Sequence, residues 1–124
     1  MYKLEKVLEC WIKGHPSRYL QWKNLVIETV KKRLPENHYP LSAVSLRLDY
    51  NLWDCKTNDI DNLVKPVMDA LKVAGLFKDD VAVFHLEATK DAAGEEEGVK
   101  IQVWQWAIGI ERMEPFKRKL RADS

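Results

Sequence analysis

At 124 residues, with 46% apolar and 31% charged side chains, the chain has the length and composition of one ordinary folded domain, residues 1–124, able to bury a real core. Its net charge of +1 excludes binding to nucleic acid by bulk electrostatics, so any such contact has to come from local patches. Two cysteines, Cys10 and Cys55, exclude a disulfide framework or a zinc cluster; no signal-peptide pattern or membrane-length apolar run occurs, and a cytoplasmic location is the expectation.

Residues 2–12 alternate, with Tyr2, Leu4, Leu8, Cys10 and Ile12 on one face, which predicts a strand. Gly14-His15-Pro16 breaks it, and Ser17 is a suitable N-cap for a helix over 18–34. In that helix Tyr19, Trp22, Val26 and Val30 recur every three or four residues. Residues 43–53 form the cleanest alternation, Val44, Leu46, Leu48, Tyr50 and Leu52 against Ser45, Arg47, Asp49 and Asn51. Leu63, Val67 and Leu71 mark a second helix ending near Gly75. Residues 81–90 and 99–107 read as two further strands joined, through 91–98, as a hairpin. The expected fold is α+β, in the order β-α-β-α-β-β. A mixed sheet of about four strands packs on two helices, and residues from about 111 form a short helix or a basic tail.

Chemistry concentrates in residues 57–80, TNDIDNLVKPVMDALKVAGLFKDD. Asp59 and Asp61 stand two residues apart, Lys65 follows four residues later, and the acidic pair Asp79-Asp80 comes after an apolar stretch. Carboxylates converging on one spot repel one another unless a divalent cation sits among them, and hard oxygen ligands suit magnesium. A lysine beside them can balance charge or meet a developing oxyanion. The combination points to metal-assisted phosphoryl transfer, most simply hydrolysis of a phosphodiester. Taken singly, Asp59 or Asp61 could cap the helix, Asp79-Asp80 could be a turn, and Lys65 could be a solvated lysine.

The joint pattern resembles the RusA-type Holliday junction resolvases. It is carried by Asp59-Ile60-Asp61-Asn62-Leu63-Val64-Lys65, then Asp69-Ala70-Leu71, then Asp79-Asp80. The resemblance implies an Mg²⁺-dependent endonuclease, with Mn²⁺ as a substitute ion and no organic cofactor. Its substrate would be branched DNA, chiefly four-way junctions, and it would work as a homodimer. Asp59, Asp61 and Asp80 would hold one or two metal ions, with Asp79 a less certain fourth ligand. Lys65 would neutralise the scissile phosphate or orient water, and Asp69 would be structural or solvent-facing.

Whether one subunit supplies the whole site depends on where the second helix begins. A helix from Asn62 to Ala74 would carry the chain roughly 20 Å away, and the partner's Asp80 would then complete the site. A helix beginning at Pro66, a residue suited to the first helical position, would leave 59–65 as a shaped loop and make the return easy. The sequence reading prefers the latter, a site within one subunit.

Candidate DNA contacts are Lys31, Lys32 and Arg33, and the tail residues Lys117, Arg118, Lys119 and Arg121, each equally readable as a solvated helix end or tail. Trp53, just before the acidic loop, is a candidate for stacking on a base. Trp11, Trp22, Trp104 and Trp106 read as core or interface. His15, His38 and His85 show no ligand or triad pattern. Glu95-Glu96-Glu97 would repel phosphate and is expected to face away from DNA.

Overall fold

The computed structural model describes residues 3–16, 19–36 and 38–107. The order is β1 (Lys3–Lys13), α1 (Tyr19–Arg33), β2 (Val44–Leu52), α2 (Ile60–Val73), a short 3-10 turn (Asp80–Ala82), β3 (Val83–Ala92) and β4 (Gly98–Ala107). The basic tail, with Lys117, Arg118, Lys119 and Arg121, lies outside the described residues. The four strands form one mixed sheet in the order β1-β4-β2-β3. β4 runs antiparallel to both β1 and β2, while β3 lies parallel to β2 across the α2 crossover.

The hairpin expected between the last two strands is therefore corrected. β3 and β4 are not neighbours, because β4 inserts between β1 and β2. Residues 93–97 cross the sheet's end instead: the Ala93 amide donates to the Leu52 carbonyl at 2.9 Å, and the Gly14 amide to the Glu97 carbonyl at 2.9 Å. A parallel β2–β3 pair needs a long crossover, and α2 supplies it.

One face of the sheet carries the core. Leu8, Cys10 and Ile12 of β1, alternate residues of β2, and Val99, Ile101 and Val103 of β4 are buried with Trp22, Val26 and Val30 of α1. Leu63, Val67, Ala70 and Leu71 of α2 complete this layer. Burial of these apolar side chains is the main favourable term holding helices to sheet. Trp104 and Trp106 lie half-buried on the opposite face. There Lys6 sits over the Trp104 ring at 5.5 Å, and the Trp106 indole donates to Ser45 Oγ at 2.9 Å.

The second helix starts earlier than expected. It begins at Ile60 with Asp59 at the N-cap, and Pro66 lies inside it. Pro66 denies the Asn62 carbonyl its i+4 donor, but Asn62 is exposed and water can replace that bond. Nearby, the buried Tyr50 hydroxyl donates to the Leu63 carbonyl at 2.5 Å and ties the helix to β2. Tyr50→Phe leaves the fold intact and costs about 1 kcal/mol, read as a lower urea midpoint at constant slope.

α2 ends in a Schellman motif. Gly75, at φ +86, donates to the Lys72 carbonyl at 3.0 Å, and Leu76 donates to the Leu71 carbonyl at 3.0 Å. The turn reverses the chain, buries Leu76 and Phe77, and delivers Asp79-Asp80 to the foot of β3. A Cβ at Gly75 would meet nothing within 4 Å, so Gly75→Ala is penalised only through its left-handed backbone. The expected loss is about 1 kcal/mol in the same melt.

Candidate active site

The loop from β2 into α2 is built to present Asp59. Thr57 Oγ1 donates to Asp54 Oδ2 at 2.7 Å, Asn58 Nδ2 donates to the Asp54 carbonyl at 2.6 Å, and Lys90 Nζ from β3 donates to the Asn58 carbonyl at 2.6 Å. The Thr57 hydroxyl, then nearby backbone amides, hold the Asp54 carboxyl below the usual range despite a partial desolvation that opposes them. Asp54, Thr57, Asn58 and Lys90 escaped the sequence reading. The signal available was the Asx-type spacing in Asp54–Asn58.

Asp59 occupies the N-cap, yet its carboxylate makes no capping hydrogen bond. The cap reading therefore fails to account for that side chain, and its oxygens are left for another task. Asp61 lies exposed in the first turn, where the positive end of the helix dipole favours an anion.

Between α2 and the edge strand β3 runs a groove of about 640 Å³. Val64, Met68, Leu86 and Ala88 give it an apolar floor, and Asp61, Lys65, Asp69, Lys72 and Asp80 are its charged lining. The four α2 charges are spaced four, four and three residues apart, which keeps them on one helix face with alternating sign. Lys65 and Asp69 also border a second concavity on the other flank of α2, with His15, Asn58 and Asn62.

Lys72 joins the acidic residues at the far end of the groove. Its ammonium lies 3.4 Å from Asp80 Oδ1 and 3.7 Å from Asp69 Oδ1. Desolvation alone would lower its pKa, but the hydrogen bond and charge of Asp80, with the charges of Asp69 and Asp79, outweigh it and raise the value. Lys72 was missed in the sequence, although its i, i+3 spacing from Asp69 was a usable signal. Asp69, read there as structural or solvent-facing, lines the groove beside Lys72.

All the site carboxylates have the hard-oxygen chemistry that suits a divalent cation. Among the described residues of one chain, however, no three carboxylate, His or Cys side chains are grouped to hold an ion together. Asp61 and Asp80 line the same groove but at opposite ends of it. The residues of a single chain, as arranged, do not fit a bound metal.

The remaining candidates are more scattered. Lys31, Lys32 and Arg33 form the last turn of α1, where cations favour the helix dipole. Trp53 is 61% exposed, but its amide donates to the Glu97 carboxylate at 2.8 Å, and it borders the same concavity as Glu95 and Glu96. Three carboxylates therefore surround the approach to that ring, which opposes contact with DNA phosphates. His38 Nε2 bonds the Gly75 carbonyl at 3.1 Å and His85 sits on β3, so neither faces the groove.

Among the described residues, no helix is long and apolar enough to cross a membrane. No curated protein matches the sequence significantly. The family model of endodeoxyribonuclease RusA matches residues 12–104, a span that includes β2, the Asp59–Lys65 motif, α2, Asp80 and β3. With most of the 124 residues matched, the chain belongs to the RusA family of Holliday junction resolvases and is an endodeoxyribonuclease.

Proposed function

We propose that the protein resolves four-way DNA junctions by paired, symmetric nicks during recombination and repair. The reading is supported most by one observation. Asp61, Lys65 and Asp80, which carry the resemblance in the sequence, line a single solvent-open groove and lie within the span that the family model matches.

Mg²⁺, with Mn²⁺ as a substitute, is the ion that the family resemblance implies, and Asp59, Asp61 and Asp80, with Asp79 as a further candidate, would be its ligands, although within one chain they do not gather round one point. When bound, such an ion supplies Lewis-acid activation of water and charge stabilisation at the leaving oxygen. Lys65 projects from the middle of the groove wall, where it can meet the scissile phosphate as a point charge. Asp54, Thr57 and Lys90 keep the Asp59 loop in place. A four-way junction is two-fold symmetric and needs two nicks, so a C₂ homodimer matches the substrate.

DNA beyond the groove is assigned to Lys31, Lys32 and Arg33 and to the tail residues Lys117, Arg118, Lys119 and Arg121, with Trp53 a weaker candidate for stacking. Deleting residues 115–124 is expected to weaken junction binding and flatten its salt dependence, since each lost phosphate contact removes about one unit of slope. An unchanged slope, measured by binding at several salt concentrations, returns the tail to a solvated role.

Substrate choice is tested by following nicking of a synthetic four-way junction, a flap and a linear duplex under one condition. Junction cleavage at symmetric positions, with nicks that ligase seals, is expected. Equal cleavage of flaps would make the protein a general branched-DNA nuclease.

A further inference from the structure

Tyr50 and Lys90 are register partners on the parallel strands β2 and β3, so their side chains leave the sheet side by side. Lys90 continues the row of Leu86 and Ala88, which floors the groove, along alternate positions of β3. Both side chains reach one stretch of the chain. The Tyr50 hydroxyl donates to the Leu63 carbonyl at 2.5 Å, and Lys90 Nζ donates to the Asn58 carbonyl at 2.6 Å. Between those two carbonyls lie Asp59 and Asp61.

The Lys90 bond acts on Asp59 through the peptide itself. The Asn58 carbonyl and the Asp59 amide belong to one planar unit, so holding that oxygen fixes the plane from which Asp59 departs. On the other side, the Asp59 carbonyl accepts the Leu63 amide at 3.2 Å, and Leu63 is the residue that Tyr50 holds. Asp59 is thus bracketed by two ties that return to neighbouring positions of the sheet. The Thr57 and Asn58 side chains bind the loop to Asp54, within itself. Lys90 binds its Asp59 end to β3, with a charged donor that makes the bond roughly twice as strong as a neutral one. The side chain is exposed, so its removal opens no cavity in the core.

We infer that Lys90 is a positioning residue for the nuclease reaction, aiming the Asp59 carboxylate through the Asn58 peptide. The inference rests on Asp59 being catalytic. It adds what holds that carboxylate in place.

Lys90→Met keeps an unbranched stem and removes the donor. Single-turnover cleavage of a four-way junction at saturating protein is expected to slow about thirtyfold, since misplacing a reacting group by about 1 Å costs roughly a hundredfold. Junction affinity is expected to stay unchanged, and Lys90→Arg, which supplies another charged donor, to recover most of the rate. A lysine that only stabilised the fold would lower the melting temperature and leave the saturated rate below it untouched. A readout apart from cleavage is hydrogen exchange, which is expected to quicken at the amides of residues 58–63 in Lys90→Met and to stay unchanged in β2 and β4. A wild-type saturated rate in Lys90→Met overturns the inference, and so does a loss confined to affinity, which would make Lys90 a phosphate contact. Unchanged exchange at 58–63, or a Lys90→Arg protein as slow as Lys90→Met, overturns it too. Asp59→Asn measured alongside tells the two readings apart. Normal cleavage by Asp59→Asn overturns the catalytic reading and this inference together, whereas an inactive Asp59→Asn beside a normal Lys90→Met overturns only the role of Lys90.

Discussion

Replacing Asp61 by Asn lowers junction cleavage by roughly a thousandfold while leaving junction binding intact or tighter. The amide keeps the size and shape of the carboxylate, and the side chain is exposed on the first turn of α2, so folding is not at stake. What disappears is one negative charge where a divalent cation is proposed to bind. Loss of that charge also weakens repulsion of the DNA backbone, which is why binding does not suffer. Gel shift and cleavage measured on the same labelled junction separate the two effects. Near-normal cleavage by the variant would reduce Asp61 to a favourable charge on the helix dipole, an effect of only about 0.3–1 kcal/mol.

Lys65→Ala carries the second largest effect, a loss of roughly a hundredfold in cleavage. Lys65 is exposed and borders both concavities that flank α2, so it stands on the ridge between them. A lysine that only contributes to DNA affinity would raise the DNA concentration needed and leave the saturated rate unchanged. One that meets charge developing on the scissile phosphate lowers the saturated rate itself. Single-turnover cleavage at saturating protein distinguishes these outcomes, and an unchanged rate returns Lys65 to the solvated reading. Lys65→Arg should recover part of the rate, because it restores the charge with a different fork of donors.

Periodicity made the elements legible, since each depends on local pattern: every second residue of β2 and every third or fourth of both helices is buried where the spacing says it should be. Strand order was not legible. Which strand pairs with β4 is decided by contacts between residues far apart in the chain, such as Leu48 with Ile101 and Cys10 with Ile101. No turn residue in 91–98 reports that the chain passes over β2.

Pro66 misled for a local reason. Proline is favoured at the first helical position, but here Tyr50 and the packing of Leu63 and Val67 hold the helix together on both sides of it. At the site, the spacing of the motif placed Asp61, Lys65 and Asp69 on one helix face, and the structure has them line one groove. The role of Lys72 could not be read, because its partnership with Asp80 depends on the reversal at Gly75. The separation of Asp61 from Asp80 likewise follows from the length of α2, which was hidden by placing the start of the helix at Pro66 when it begins at Ile60.

Incubating the purified protein with a synthetic mobile four-way junction, in Mg²⁺ or in EDTA, is the most direct measurement. Metal-dependent, symmetric nicks that ligase can seal are expected, with none in EDTA. Intact junctions in Mg²⁺ and in Mn²⁺ alike, at protein concentrations that bind the junction, would contradict the assignment of the groove as a resolvase centre.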